Sequence, residues 1–314
     1  MTDTTTAFID VLMCTYRRPE LLVKALDGIE RAAAKVGKVR VVVVDNDAQQ
    51  SAREPARLWA SSGSLAVTYL TQPLQNISLT RNVALDNATA QWIALIDDDE
   101  VPDENWLSSL LETAARYEAD VVFAPVIAEF DNGAPEWARQ GTLFQRKRFP
   151  TGTVIPLKEN RTSNVLMRGE RLSRDAFRFD PELGLSGGED SEFFARLDEA
   201  GYRMVWCDEA CVREWTPLSR TTKTWVLKRA FRIGSVEAYN QRRFQRFGRA
   251  SLEMIKAAIF MIRGTVLALC WAPVSPPRAV FAMWQVAFGA GVFYGIFAGP
   301  YLAYRTVTSD VSRR

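Results

Sequence analysis

The sequence predicts an α/β fold that is followed by a C-terminal helical hairpin. In the first part of the chain, short apolar runs of strand type alternate with segments whose apolar residues recur at helical spacing. Hydrophobic residues make up 47% and charged residues 24%, which is enough apolar material for a core and too balanced for disorder. We therefore expect an α/β domain over 1–222, a basic amphipathic helix over 223–250 and apolar helices over 251–314.

The first strands are predicted at residues 9–16 and 39–44, which are apolar and rich in β-branched residues. Pro19 opens the helix expected over 19–35, because its fixed φ suits a first helical turn. The order continues with a helix at 51–60, a strand at 66–70, a helix at 78–87, a strand at 92–96, a helix at 105–117 and a strand at 121–126. Such alternation is typical of a parallel sheet with helices on both faces, which binds ligands at the carboxyl ends of its strands.

Residues 129–160 interrupt this alternation. They are rich in Gly, Pro, Arg and Lys, so we expect an irregular excursion over the binding edge of the sheet. The α/β pattern then resumes with a strand at 163–168, a helix at 188–200 and a strand at 203–206.

The C-terminal segments are apolar enough for a membrane. Residues 257–272 are interrupted by the charge of Arg263, and residues 279–304 carry no charge. A spanning helix needs about 20 apolar residues, so the second segment qualifies and the first is marginal. We expect a membrane-associated hairpin, with an interfacial or re-entrant pair, or a buried hairpin of a soluble protein, as the alternatives.

A basic cluster precedes these segments. It contains eight basic residues and one acidic residue, Glu237. The basic residues are Lys223, Lys228, Arg229, Arg232, Arg242, Arg243, Arg246 and Arg249. Such a cluster attracts anionic lipid headgroups and favours the cytoplasmic side of a membrane. The N-terminus, MTDTTTAFID, lacks the features of a secretory signal. We therefore expect the α/β domain on the cytoplasmic face of the cell inner membrane.

Charge and cysteine usage exclude other classes of protein. The net charge of +2 argues against a general nucleic-acid binder, so no nucleic-acid partner is expected. The 4 cysteines form no CxxC pair and the chain contains no histidine, which argues against a structural zinc site.

An acidic run follows one of the apolar strands. The sequence IALIDDDEVP ends this strand in Asp97, Asp98 and Asp99. Because side chains alternate along a strand, we expect Asp97 and Asp99 on one side and Asp98 on the other. Adjacent carboxylates repel one another, and Mg²⁺ or Mn²⁺ bridging them to a diphosphate would relieve this repulsion. An acidic turn that caps the next helix is the structural alternative.

A second carboxylate, Asp45, ends the apolar run VRVVVVD. At that position it can accept hydrogen bonds from a base or a ribose, although such an aspartate more often caps a helix. Neither GxGxxG nor GxxxxGK[ST] is present where a nucleotide loop would need it, which excludes dinucleotide-binding and P-loop sites.

The run GLSGGEDSEFF carries a third signal. Gly187 and Gly188 let a ligand approach the backbone closely, and Glu189 and Asp190 follow at a helix start, where the helix dipole favours their ionised form. Asp190 therefore fits a general base that accepts a proton from a hydroxyl. Simple helix capping beside a glycine turn is the alternative.

Together these motifs resemble family 2 glycosyltransferases of the GT-A fold, a Rossmann-like nucleotide-diphospho-sugar transferase fold. The motifs that carry the resemblance are CTYRRPELLVKAL, VVVVDND, NISLTRNVAL, LIDDDEVP and SGGEDSEFFARL, and it extends over about residues 9–220. The later run EACVREWTPLSRT is similar to bacterial enzymes of exopolysaccharide biosynthesis, of the succinoglycan type. The resemblance implies that Thr15, Arg17 and Asp45 hold the nucleotide and that Arg81 and Asn82 support the donor pocket. It implies further that Asp97 and Asp99 bind the metal and the diphosphate. By the same resemblance, Asp190 is the catalytic base, and Gly188 and Glu189 lie on the acceptor side.

Two departures from the family pattern concern specific residues. The histidine that many relatives place after the catalytic helix is absent, and Glu214 near that position is a substitute metal ligand. The QxxRW motif of processive synthases is also absent, which favours addition of a single sugar. Arg220 is a candidate for pairing with the leaving diphosphate, because a guanidinium binds phosphate oxygens in a bidentate manner.

The resemblance implies an inverting, metal-dependent transfer of one sugar, with Mg²⁺ or Mn²⁺ as the cofactor. The expected donor is a nucleotide sugar, most simply a UDP-sugar, and the expected acceptor is a lipid-linked oligosaccharide at the membrane. A nucleotidyltransferase and a catalytically inactive membrane scaffold with the same fold are the alternatives.

Overall fold

The computed structural model describes residues 8–244 and 250–302. The strands are β1 (Phe8–Thr15), β2 (Lys38–Asp45), β3 (Ala66–Thr71), β4 (Trp92–Asp97), β5 (Glu100–Pro102), β6 (Val121–Phe123), β7 (Val126–Phe130), β8 (Val165–Arg168), β9 (Met204–Trp206) and β10 (Val212–Thr216). The helices are α1 (Pro19–Ala33), α2 (Arg53–Ser62), α3 (Ile77–Asp86), α4 (Trp106–Arg116), α5 (Glu136–Arg139), α6 (Gly169–Asp175), α7 (Glu189–Glu199), α8 (Lys223–Phe244), α9 (Ala250–Trp271) and α10 (Pro276–Ala298).

A seven-stranded sheet has the order β3-β2-β1-β4-β8-β6-β9. β8 runs antiparallel to both of its neighbours, so the sheet is mixed, and the sequence had left the direction of this strand open. The register explains the antiparallel direction, since Val165 at the start of β8 pairs with Phe123 at the end of β6. The excursion that connects them therefore leaves the sheet and returns to it at the same end of the strands, and no crossover connection is needed.

Helices cover both faces of this sheet, as predicted. Alternate residues of β2 point into two separate cores, with Val41 and Val43 in one and Val42 and Val44 in the other. Residues of α1 and α4 fill the first core, and residues of α3 and α7 fill the second. The polar residues at the strand ends are held in place by this packing.

The carboxyl ends of the three adjacent strands β2, β1 and β4 lie side by side. Thr15 at the end of β1 is in register with Asp45 of β2, and Cys14 is in register with Asp97 of β4. The carboxyl edge of the sheet therefore gathers the polar residues that the sequence placed at the ends of its strands.

The predicted elements of the α/β region match the observed ones with small shifts at their ends. The short strands β5 and β10 were missed, because three to five residues give too little alternation to show a period. They pair antiparallel, with Glu214 opposite Glu100.

The chain divides into two compact units. The first contains the residues up to Ile127 together with Lys147–Gly184 and Glu189–Trp215, and the second contains Ala128–Arg146, Leu185–Gly188 and the residues from Thr216 onward. In the second unit, α9 and α10 are long and apolar enough to cross a membrane by length and composition. The predicted division at 222 and 250 stays a prediction. Arg246, Arg249 and the tail beyond residue 302 lie outside the described residues.

Candidate active site

The acidic run forms a turn at the carboxyl edge of the sheet. β4 ends at Asp97, and Asp98 and Asp99 form the turn that leads into β5. The Asp97 side chain is 44% exposed, whereas the other two are 6% and 7% exposed. The prediction that Asp97 and Asp99 face one side is wrong, because a turn does not keep the period of two of a strand. Asp98 and Asp99 instead share one partner.

Arg18 is that shared partner, and the sequence interpretation missed it. Its Nη1 atom lies 3.0 Å from Oδ1 of Asp98 and 2.9 Å from Oδ2 of Asp99. The hydroxyl of Thr15 donates a further hydrogen bond to Asp98 at 2.8 Å. Burial raises the pKa of Asp98 to about 6, although Arg18 opposes the rise. A second arginine beside Arg17, after a strand that pairs with the acidic one, was the available signal.

Arg81 joins the acidic turn to the start of α7. Its buried guanidinium pairs with Oε1 of Glu189 and lies 3.9 Å from Oδ1 of Asp97. The guanidinium also lies 5.5 Å from the centre of the Phe179 ring. Burial raises the pKa of Glu189, and Arg81 offsets part of that rise. The second carboxylate oxygen of Glu189, Oε2, is buried and accepts no hydrogen bond from the part of the chain that is described.

Asp190, the predicted base, directly follows this network. It is the second residue of α7, is half-buried, and accepts a hydrogen bond at 2.8 Å from the backbone N–H of Ser191. Gly187 and Gly188 precede it with φ of +87° and +88°, a conformation that other residues rarely adopt. These two glycines belong to the second unit, so the acceptor-side role of Gly188 stays a prediction, as does that of Asp190.

Asp45 is engaged by the fold itself. Its carboxylate is fully buried and accepts hydrogen bonds from the backbone N–H groups of Asp47 and Ala52, each at 2.9 Å, and from the hydroxyl of Tyr69 at 2.8 Å. Ala52 is the N-cap residue of α2, so Asp45 stabilises the start of that helix, which is the alternative that the sequence left open. A direct contact with a base or ribose stays a prediction.

Two other predicted donor contacts are basic residues. Arg17 has φ of +54°, and its half-exposed side chain places Nε 3.4 Å from Oδ2 of Asp47. A non-glycine residue in that region is strained, and such strain clusters at functional sites. Arg220 lies in the second unit, in a short 3₁₀ helix, Leu218–Thr221. Its pairing with a diphosphate stays a prediction.

Asn82 has a supporting position. Its Nδ2 donates to the carbonyl oxygen of Phe179, and its Oδ1 accepts from the N–H of the same residue, both at 2.8 Å. These two bonds tie α3 to the segment that holds Phe179 beside Arg81. Asn82 therefore positions Arg81 indirectly, and its support of a donor pocket stays a prediction.

The predicted metal ligands are only partly gathered. Among the described residues, no three His, Cys, Asp or Glu side chains form a group that could hold a metal ion. The predicted set of Asp97, Asp99 and Glu214 is therefore not assembled, since the Asp99 carboxylate is paired with Arg18. The exposed carboxylate of Asp97 and the neighbouring Asp99 nevertheless fit Mg²⁺ or Mn²⁺ in one common arrangement, in which one or two carboxylates act with the phosphate oxygens of a substrate.

Known proteins share this sequence pattern. The sequence profile of the family described as glycosyl transferase family 2 matches residues 10–177, which include the acidic turn and end before Asp190. The succinoglycan biosynthesis protein ExoM of Rhizobium meliloti (strain 1021) is 38% identical over 234 residues, which cover 73% of this chain and 74% of that protein. Glycosyltransferase AglE of Haloferax volcanii is 24% identical over 238 residues, which cover 73% of each chain.

A solved structure shares the fold. Mannosyltransferase PcManGT from Pyrobaculum calidifontis, in complex with GDP-Man and Mn²⁺, has a TM-score of 0.58 at 17% identity, over 99% of this chain and 81% of that chain. At that identity the likeness bears on the fold alone, and it confirms the predicted GT-A fold. The similarity to ExoM confirms the predicted resemblance to succinoglycan-type enzymes. The chain therefore belongs to glycosyl transferase family 2 and is a glycosyltransferase.

Proposed function

We propose that the protein transfers one sugar from a nucleotide-sugar donor to a lipid-linked saccharide, with inversion at the anomeric carbon. The observation that carries the proposal is the position of Arg81, which lies against Asp97 at the end of β4 and against Glu189 at the start of α7. Asp190 is the next residue along α7. One buried arginine thus lies between a carboxylate suited to the donor side and the residue that directly precedes the candidate base.

Asp190 is the proposed base because its carboxylate is half-buried in the first turn of α7, directly after the Glu189 that pairs with Arg81. It accepts the proton of the acceptor hydroxyl while the hydroxyl oxygen forms a bond to the anomeric carbon. The bond between that carbon and the donor phosphate oxygen breaks, and the nucleoside diphosphate leaves with the electron pair. A single displacement of this kind converts an α-linked donor into a β-linked product.

Charge on the leaving diphosphate requires compensation. Asp97 and Asp99 would hold Mg²⁺ or Mn²⁺, and the bound ion supplies Lewis-acid stabilisation of the diphosphate. Among the protein's own residues, Arg18 offsets part of the negative charge of Asp98 and Asp99, and the guanidinium of Arg81 lies beside Asp97. The predicted pairing of Arg220 with the diphosphate belongs to the same step.

The donor and acceptor classes are proposed from the relatives and from the C-terminal helices. The GDP-Man bound to PcManGT supports a nucleotide-sugar donor, and a UDP-sugar is the first to test. The similarity to a succinoglycan biosynthesis protein supports a saccharide acceptor. The apolar helices α9 and α10 support an acceptor carried by a lipid, at the cytoplasmic face of the inner membrane.

The proposal is tested by assaying release of nucleoside diphosphate from a panel of nucleotide sugars, with membranes that contain lipid-linked acceptors and with Mn²⁺, Mg²⁺ or EDTA. We expect one donor to turn over, EDTA to abolish turnover, and Asp190→Asn to lower the rate by about 10²–10⁴-fold. Asp198→Asn is the matched control, because Asp198 is an exposed aspartate farther along α7. Full activity of Asp190→Asn, or a product that keeps the donor configuration, would contradict the mechanism.

A further inference from the structure

α10 is packed against protein on one side through glycines of two helices. A Cβ atom added at Gly291 would lie 2.0 Å from the carbonyl oxygen of Phe231 in α8, and one added at Gly295 would lie 2.1 Å from that of Ser235. A Cβ atom added at Gly234 of α8 would likewise lie 2.1 Å from the carbonyl oxygen of Phe288. Backbones in such close contact leave no room for lipid between them.

The opposite side of α10 is covered by α9. A Cβ atom added at Gly289 would lie 2.4 Å from Cγ of Met261, and one added at Gly264 would lie 2.8 Å from the carbonyl oxygen of Ala282. Positions 289 and 291 are separated by about 200° around a helix, so these contacts lie on opposite faces of α10. Protein therefore covers α10 on two sides.

The helix that covers the first side is unsuited to the hydrocarbon core. α8 begins at Lys223, carries Lys228 in its second turn and has Arg242 and Arg243 in its last turn. Nη1 of Arg242 donates a hydrogen bond to the carbonyl oxygen of Ile296 at 2.5 Å, which places a charged group at the last turn of α10. Because charged side chains are costly at the bilayer centre, this end of α10 belongs in or near the headgroup region.

α9 presents the contrasting surface. Six apolar residues, spaced alternately three and four apart, are 51% to 74% exposed, namely Leu252, Ile255, Ile259, Ile262, Val266 and Leu269. We call this the α9 seam. Exposed Arg263 borders it on one edge, together with exposed Lys256, whose Nζ also lies 2.7 Å from Oε1 of Glu253. An apolar stripe bordered by basic residues is typical of a helix that lies in the plane of a membrane interface.

We propose that the C-terminal unit engages one leaflet of an anionic bilayer through the α9 seam, and that α10 is an internal helix that does not cross the membrane. The seam enters the boundary between headgroups and acyl chains, while Lys256 and Arg263 face lipid phosphates. This inference rests on the membrane location proposed above and replaces a spanning hairpin with an interfacial one. The same 3-4 spacing suits pairing with a second copy of the chain, which is the competing occupant.

The seam is tested by flotation of the purified full-length protein with phosphatidylcholine vesicles and with vesicles that also contain phosphatidylglycerol. We expect binding to the anionic vesicles and at least a roughly tenfold loss of binding in Ile259→Glu, because a charge then replaces the apolar centre of the seam. Leu58→Glu is the matched control, since Leu58 is a 53% exposed leucine of α2. Unchanged vesicle binding by Ile259→Glu, or an Ile259-dependent dimer in solution that accounts for the seam, would overturn the proposal.

Membrane crossing is tested separately with Val274→Cys in a Cys270→Ser background, because Val274 lies in the exposed turn between α9 and α10. In spheroplasts, we expect a membrane-impermeant maleimide not to label this cysteine from outside, and to label it fully once detergent is added. Labelling from outside would show that the turn crosses the membrane and would refute the one-leaflet arrangement. Neither assay uses a sugar donor, so intact vesicle binding in a protein without transferase activity would count against the proposed function alone.

Discussion

The carboxyl ends of β2 and β4 look alike in sequence and differ in structure. Each strand is an apolar run that ends in an aspartate, Asp45 or Asp97. The Asp45 carboxylate is fully buried and accepts hydrogen bonds from two backbone N–H groups and a tyrosine hydroxyl. The Asp97 side chain is 44% exposed and has the guanidinium of Arg81 3.9 Å away.

The difference shows what distinguishes a structural carboxylate from one that is suited to a ligand. Backbone donors are fixed by the fold, so a carboxylate that they satisfy remains satisfied in every state of the protein. A carboxylate that is 44% exposed at the carboxyl ends of the strands, as that of Asp97 is, remains accessible to a ligand. We therefore propose that Asp45 acts mainly in the stability of the fold and that Asp97 takes part in binding the donor.

The largest effect expected from this assignment is loss of activity in Asp97→Asn. Removing the exposed negative charge should lower the transfer rate by about 10²–10³-fold, because stabilisation of the leaving diphosphate is weakened. The free energy of unfolding should change by less than about 1 kcal/mol, since the Asp97 side chain is 44% exposed and its contact with Arg81 is long. Initial rates and urea unfolding of the same preparation give both quantities.

Asp86→Asn is the control for this prediction. Asp86 is an aspartate of similar exposure, 57%, that pairs with Arg178 in the same unit. If Asp97→Asn kept its activity and lost stability, Asp97 would have the structural role that is proposed above for Asp45.

The second prediction concerns Asp45→Asn, which should lower the free energy of unfolding by about 2 kcal/mol. An amide cannot accept hydrogen bonds at both of its terminal atoms, so buried donors from Ala52 and Tyr69 or from Asp47 would lose their partner. Urea unfolding measures the loss, and the kcat of the folded fraction should remain close to that of the wild type. A tenfold rise in KM for the donor without a change in stability would instead support the nucleotide contact predicted from the sequence.

Sequence periodicity predicted the sheet, its helices and the edge at which the site lies, because these follow from the burial of long apolar runs. It placed Asp97 and Asp99 on one side because it treated a turn as a continuation of β4. It left the direction of β8 open, since direction depends on where a long excursion re-enters the sheet. Periodicity within one segment contains no information on either point.

The sequence also could not predict which residues pair with the carboxylates. Arg18 and Asp99 are 81 positions apart, and Arg81 and Glu189 are 108 apart. Which of two neighbouring arginines reaches the acidic turn depends on the direction in which the chain leaves β1. The family resemblance supplied Arg81 as a donor-side residue, and the structure supplied its contact with Glu189.

The smallest predicted effect concerns Asp98, which is buried like Asp45 and has side-chain partners like Asp97. Burial raises its pKa to about 6 in the folded protein, against about 3.9 for an unfolded chain. Between these values the folded state binds more protons than the unfolded state, so stability falls as the pH rises. From pH 5 to pH 7, the metal-free wild type should lose about 1 kcal/mol relative to Asp98→Asn, which has no such proton to release. Urea unfolding at both pH values in EDTA measures this difference, and parallel stability curves for the two proteins would show that Thr15 and Arg18 keep Asp98 ionised throughout.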